Sequence, residues 1–241
     1  MREQSERVRD LFEAIARDLT PATARQAVRV LYSPVSSDPE VTRLCASVLS
    51  DGELQRADRF AASGDRTLFL QRRAFRRFCA ATELGPSRPL SQIVFEETEN
   101  GRPYLPNSTG LWFSFSSCRL GLLGAWSPTH AVGVDLEDPT RDLEATDLAH
   151  RFFSQTEADA IERSGTSERL RVFYRYWSLK EAALKSIGEG LPFGLDAFEF
   201  ELDPELRIAA APLRFGGPER FDAHLLGRGE SCGALVIRRL A

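Results

Sequence analysis

Apolar positions along this chain follow two periods, and the expected elements can be read from them in order. Val8, Leu11, Phe12, Ile15 and Leu19 recur at helical spacing with charges between them, predicting a helix over 5–18 that stops at Thr20-Pro21. The stripe predicts a helix docked on the rest of the protein, with a partner-binding helix as the alternative. A strand is expected over 27–32, ended by Ser33-Pro34, and a helix over 39–49. Ser50-Asp51-Gly52-Glu53 has the form of a capping box and opens a helix toward Phe60. A long arginine-rich helix follows over 66–83, closed by Gly85-Pro86. Residues 93–97 read as a strand and Asn100-Gly101-Arg102-Pro103 as a tight turn.

Strands are predicted next over 112–116, 121–126 and 131–136, the last two joined as a hairpin through Ser127-Pro128-Thr129-His130. Residues 141–154 read as loop then helix. Ser154-Gln155-Thr156-Glu157 repeats the capping-box form and leads a helix toward Arg163, broken by Gly165. A second long helix runs over 167–187 to the stop at Gly188-Glu189-Gly190. Strands over 198–202, 207–210, 220–226 and 233–238 complete the chain. The order Arg59-Phe60, long helix, glycine stop, strand near Phe95 recurs as Arg151-Phe152-Phe153, long helix, Gly188, Phe198-Glu199-Phe200. Two similar α+β halves with a ligand cleft between them would follow.

Composition narrows the class. With 241 residues and 42% hydrophobic positions, the chain can bury a sizeable core as one large domain or two small ones. The net charge of -4 hides a basic region made by Arg56, Arg59, Arg66, Arg72, Arg73, Arg76 and Arg77, which could meet an anionic ligand or simply face solvent. Cys45, Cys79, Cys118 and Cys232 are far apart and form no zinc-type pair, so reduced thiols in a cytoplasmic protein are expected. No apolar run is long enough for a membrane span. A nucleic-acid binder is disfavoured, because the basic region lacks interleaved aromatics and the whole chain is acidic. His130, His150 and His224 read as structural or surface residues.

Two stretches carry the chemistry. In Trp177-Ser178-Leu179-Lys180-Glu181-Ala182-Ala183-Leu184-Lys185, a helix sets Glu181 between Lys180 and Lys185 on adjoining turns, while Trp177, Leu184 and Ile187 can face a core. Such a group could hold a metal ion and grip phosphates; an ordinary solvated helix has the same pattern. In Gly133-Val134-Asp135-Leu136-Glu137, strand alternation puts Asp135 and Glu137 on one face. Neighbouring carboxylates repel unless a cation sits between them, and hard oxygen ligands favour Mg²⁺ or Mn²⁺.

Taken together, the ordered pieces resemble the Sfp-type 4′-phosphopantetheinyl transferases. These are Gly101-Arg102-Pro103, Phe113-Ser114-Phe115-Ser116-Ser117, Gly133-Val134-Asp135-Leu136-Glu137, Arg151-Phe152-Phe153-Ser154 with Glu157, and Trp177-Ser178-Leu179-Lys180-Glu181 with Lys185 and Gly188-Glu189-Gly190-Leu191. The resemblance runs from about residue 26 to the end. It divides the chain into an N-terminal helical extension (1–25), an N-terminal half (26–120) and a C-terminal half (121–241). It implies an α+β fold of two pseudo-symmetric halves with the active site between them. It also implies transfer of the phosphopantetheine arm of coenzyme A to a serine of an apo acyl or peptidyl carrier protein, leaving 3′,5′-ADP. Fatty-acid, polyketide and nonribosomal-peptide carriers all fit that description.

Carried over residue by residue, the resemblance makes Asp135, Glu137 and Glu181 ligands of Mg²⁺, or of Mn²⁺ in its place, and Lys185 the grip on the transferring phosphoryl group. Glu181, or a metal-bound water near it, is the candidate base for the carrier serine. Arg56 would meet a phosphate, Gly101-Arg102-Pro103 the adenine or diphosphate, and Ser116, Ser117 and Lys180 would complete the coenzyme A contacts. Arg73 and Arg77 match basic positions on the family's first long helix, and Phe153 reads as core. The family usually reads Phe-Asn-Ile-Ser-His-Ser where this chain has Phe113 to Cys118, so Ser114 replaces an asparagine and Ser117 a histidine. A hydroxyl carries no charge, so weaker coenzyme A affinity or a shifted pH profile is expected. The alternative is a catalytically silent relative that binds coenzyme A or a carrier as a regulator. Exposed basic and apolar residues between Arg141 and Leu170 are candidates for carrier docking. One polypeptide supplying both sides of the cleft implies a working monomer.

Overall fold

The computed structural model describes residues 2–85, 87–106, 110–140, 143–228 and 231–240, with the Arg228 side chain left aside. The first helix, α1 (Arg2–Ile15), buries Val8 and Phe12, and Phe12 packs on Phe75 and Phe78 with centroids 5.5 and 5.3 Å apart. A short strand, β1 (Arg17–Asp18), then pairs antiparallel with β2 (Arg29–Pro34). The N-terminal segment is therefore part of the first half's core and sheet. Helices α2 (Pro39–Ala46) and α3 (Asp51–Ala57) start at the side-chain caps Asp38 and Ser50, the latter in a complete capping box with Glu53. The arginine-rich helix α4 (Ser63–Leu84) stops at Gly85, whose φ of +92° suits glycine; Pro86 lies outside the described residues.

The strand expected over 93–97 shrinks to β3 (Glu96–Glu97), which pairs with β4 (Pro103–Tyr104) across the turn at Asn100-Gly101. Next come β5 (Trp112–Cys118) and β6 (Gly121–Ser127), which are antiparallel neighbours in the sheet β1-β2-β6-β5. Here one expectation is corrected. The hairpin is β5–β6, whereas β7 (His130–Glu137) belongs to a second sheet. Ser127 explains the crossover: its hydroxyl donates to Ala27 O and accepts from the backbone N–H groups of Thr129 and His130, at 3.1 and 2.9 Å. The chain is thereby turned out of the first sheet, and β6, although beyond residue 120, sits with the N-terminal half.

The second half continues with α5 (Ala145–Phe152), α6 (Gln155–Arg163) and α7 (Thr166–Ser186), and α6 opens on the Ser154–Glu157 capping box. A ribbon of β8 (Glu199–Glu201) and β9 (Arg207–Ala210) precedes β10 (Phe221–Arg228) and β11 (Ser231–Arg239). The second sheet has the order β10-β11-β7, and α7 lies across β7 and β11. Each half is thus an antiparallel sheet with one long helix, α4 or α7, as the repeated pattern predicted. Val132, Val134 and Leu136 of β7 share a core with Val28, Val30, Leu123 and Ala125 of the first half. At this seam the Ser114 hydroxyl accepts from Val134 N at 3.0 Å, so the side chain standing in the family's asparagine position joins the two sheets. Among the described residues no helix is long and apolar enough to cross a membrane.

Candidate active site

The alternation of β7 turns Val134 and Leu136 into the shared core and leaves Gly133 and Asp135 facing α7. A Cβ on Gly133 would collide with the Ala182 carbonyl oxygen and stand 2.5 Å from Ser186 N, so only glycine lets the helix backbone lie directly on the strand. That contact sets Asp135 opposite Lys185, whose ammonium donates to Asp135 Oδ1 at 2.7 Å and stands 4.0 Å from Glu181. The Ser116 hydroxyl donates to the same Oδ1 at 2.9 Å. Asp135 is buried, and its Oδ2 has no hydrogen-bond partner among the described residues.

These groups shape each other's proton affinities. Burial and the charge of Asp135 push the Glu181 carboxyl above its ordinary range, although Lys185 acts in the opposite direction. Burial disfavours the Lys185 ammonium, but Asp135, Glu181 and Glu137 outweigh it and hold its pKa above the usual lysine value. Among the described residues no set of three His, Cys, Asp or Glu side chains gathers around one point. The ammonium of Lys185 neutralises Asp135 instead.

Glu181 and Lys185 open into a cavity of about 170 Å³ between the halves. Its walls include Glu181, Lys185 and Gly188 to Gly190 on one side, and Gly101, Arg102, Pro103 and Arg76 on the other. The turn is tied by Gly101 N to Thr98 O at 2.8 Å, with Gly101 at φ +78°, where glycine is favoured. Asn100 then clasps the second half, donating to Gly188 O and Glu189 Oε2 at 3.2 Å each. The Arg102 guanidinium lies 4.1 Å over the Trp112 ring, and burial lowers its pKa.

The other expected residues separate. Arg56 is exposed on α3 and lines two neighbouring cavities, one of about 590 Å³ with Arg59 and Phe60, the other of about 340 Å³ with Arg73, Arg76 and Arg77. Arg77 is engaged by Glu53 through hydrogen bonds of 2.6 and 3.2 Å, which ties α4 to α3. Ser117 follows Ser116 on β5 and so points to the opposite side of the sheet from it. Phe153 is core, stacked on Phe173 at 5.3 Å.

Lys180 corrects an expectation. It is wholly buried, with its ammonium 2.6 Å from Glu157 Oε2 and donating to Leu195 O and Phe198 O at 3.0 and 2.6 Å. No phosphate reaches it there. Glu157 also accepts from Ser154 N and Phe200 N, so this pair fastens α6, α7 and β8 together. The signal was present in the sequence: Tyr176, Lys180 and Ala183 share one helical stripe, and Tyr176 and Ala183 are core residues. Arg76 was missed as an individual residue, since all the arginines of its helix look alike in sequence.

A family model described as the 4′-phosphopantetheinyl transferase superfamily matches residues 131–234, the part that contains β7, α7 and the carboxylates. The chain is 35% identical over 164 residues to the 4′-phosphopantetheinyl transferase HetI of Nostoc sp., covering 66% of this chain and 67% of that one. It is 32% identical over 172 residues to the L-aminoadipate-semialdehyde dehydrogenase-phosphopantetheinyl transferase of Xenopus laevis, covering 67% and 56%. To the 4′-phosphopantetheinyl transferase Sfp of Bacillus subtilis it is 30% identical over 119 residues, covering 49% and 52%. The matched part thus spans between half and two thirds of these relatives.

Proposed function

The chain belongs to the 4′-phosphopantetheinyl transferase superfamily, and on that premise we propose that it transfers the phosphopantetheine arm of coenzyme A to the serine hydroxyl of an apo acyl or peptidyl carrier protein. The serine oxygen forms a new bond to the phosphorus that bears the arm, the bond from that phosphorus to the nucleotide breaks, and 3′,5′-ADP leaves. The observation that carries this reading is the meeting of buried Asp135 with Lys185 at 2.7 Å, where Lys185 and Glu181 line a cavity whose opposite wall is Gly101-Arg102-Pro103.

In this reading Lys185 moves from Asp135 onto the diphosphate and offsets the negative charge that develops there. Glu181, whose proton affinity burial and Asp135 raise, takes the serine proton. Arg102, held over Trp112, orients the nucleotide end. One carboxylate oxygen has the chemistry of a ligand for a hard divalent cation: Asp135 Oδ2 is buried without a hydrogen-bond partner among the described residues, and Glu137 follows two residues along the same strand. Asp135, Glu137 and Glu181 would hold Mg²⁺, or Mn²⁺ in its place. When bound, that ion would supply a second positive centre for the diphosphate. Ser117 offers a hydroxyl without charge, so weaker coenzyme A binding than in a histidine-bearing relative belongs to this proposal. One chain contributes both walls of the cavity, which suits a working monomer in the cytoplasm.

The test is mass spectrometry of an apo carrier after incubation with this protein, coenzyme A and Mg²⁺. The expected result is a gain of about 340 Da, the rounded mass of the transferred arm if phosphoryl transfer occurs. No gain on several carriers, with coenzyme A nevertheless bound, would leave a coenzyme A-binding relative in place of an enzyme.

A further inference from the structure

Arg76 lines both the catalytic cavity and the arginine-lined cavity beyond it. Two of its neighbours on α4 are engaged by a carboxylate of α3. Arg77 is held in a fork by Glu53, and Arg73 lies 3.8 Å from the same carboxylate. Arg76 has a weaker partner: its ion pair among the described residues is with Glu97, 3.7 Å away on a side chain that is 51% exposed. Its Nε, like those of Arg72, Arg73 and Arg77, is buried with no hydrogen-bond partner among the described residues; of the four side chains, the one lining the cavity beside Glu181 and Lys185 is Arg76.

The guanidinium is nevertheless held in place. It lies 5.2 Å over the Phe115 ring, and Phe115 in turn meets Phe95 edge-on at 5.6 Å. Burial and the repulsion of Arg73 and Arg72 outweigh the carboxylates of Glu97 and Glu53 and bring its pKa down to about 10, so it stays charged at neutral pH. A fixed, under-neutralised guanidinium with a free donor at the junction of two cavities has the chemistry of a phosphate site. The exposed Arg214 also lies over a ring; burial on the wall of the catalytic cavity is what sets Arg76 apart.

We propose that Arg76 is a substrate-binding residue that takes a phosphate of the nucleotide where the two cavities meet. This rests on the reading that the cleft receives coenzyme A. Coenzyme A offers that chemistry twice, as the diphosphate and as the ribose 3′-phosphate.

The experiment is calorimetric titration of the full chain with coenzyme A and with 3′-dephospho-coenzyme A, for the parent, Arg76→Gln and Arg76→Lys, with thermal unfolding of each. Arg76→Gln is expected to weaken coenzyme A binding about tenfold or more, with part recovered in Arg76→Lys, as for loss of a charge-assisted hydrogen bond. Loss confined to coenzyme A assigns the 3′-phosphate, and loss with both ligands assigns the diphosphate. Affinities within about twofold of the parent for both ligands would overturn the proposal, on the same scale of charge-assisted bonds. So would a loss that Arg76→Lys does not relieve and that tracks a lowered unfolding midpoint, since Arg76 would then be structural. A parent chain that modifies a carrier while Arg76→Gln binds normally overturns this inference alone. A parent chain that binds no coenzyme A overturns the transferase reading and this inference with it.

Discussion

Gly133 of β7 and Ala182 of α7 meet backbone to backbone, with no room for even a methyl group between them. The contact fixes how far Asp135 stands from the helix that carries Glu181 and Lys185. Gly133→Ala is expected to cost about 3 kcal/mol or more, the upper range of overpacking, because the clash is with backbone and no side chain can swing away. Transfer should fall about 100-fold in the protein that remains folded, as for a misplacement of about 1 Å between reacting groups. Urea unfolding and single-turnover transfer measure the two effects; a stable variant with full turnover would refute the role given to this contact.

Glu181→Gln keeps the shape of the side chain and removes its charge and basicity. The expected outcome is a loss of transfer of about 1,000-fold or more, on the scale of removing one preorganised catalytic group. The unfolding midpoint should stay within a few degrees or rise, since a carboxylate repelled by Asp135 is lost. Near-normal turnover in this variant would remove Glu181 from the mechanism.

Lys180→Met should act on stability. It leaves the Glu157 carboxylate buried and without its cation, a change that costs about 3–5 kcal/mol in comparable pairs. Adding Glu157→Gln should return part of the loss, as removing both charges does elsewhere. Chemical unfolding of the two variants checks this. If Lys180→Met were as stable as the parent and bound coenzyme A poorly, the lysine would be a ligand after all.

What was legible in the sequence was local. Both capping boxes, the two long helices and the ordered motifs follow from short-range spacing, and the described elements fall within a few residues of them. What was hidden depends on partners distant in sequence. Periodicity identifies β6 and β7 as strands, but it cannot say that Ser127 turns the chain into another sheet. It marks Lys180 and Lys185 as lysines five positions apart on one helix, while Glu157 buries one and Asp135 draws the other into the cleft. Arg77 is set apart from Arg76 by Glu53, which sits on a different helix.

Glu53 also sets a pH dependence. Its burial favours protonation, but the Arg77 guanidinium and the Ser50 donors outweigh that and hold its carboxyl below the ordinary value of 4.5. The folded state therefore binds fewer protons than the unfolded chain in that range. The stabilisation is fully present above pH 4.5 and is lost as pH falls through the lowered folded value. Glu53→Gln should lower stability at pH 7 by about 1.5–3 kcal/mol for a lost charged hydrogen bond, and should flatten the acid limb below pH 4.5. Thermal unfolding from pH 3 upward measures both, and parallel acid limbs would show that other carboxylates govern that range.

The first twenty residues have one more consequence. Arg17 and Asp18 pair with Tyr32 and Leu31, Leu19 N donates to Val30 O at 2.9 Å, and the Thr20 hydroxyl accepts from Val30 N at 2.8 Å. Together they cover the outer rim of β2, whose other side is occupied by β6. Trimming the chain back to residue 26 would remove no catalytic group, but besides taking Val8 and Phe12 out of the core it would bare a run of unpaired backbone donors and acceptors, a template for strand addition. The damage would show in the company the protein keeps, as dimers and larger clusters formed edge to edge.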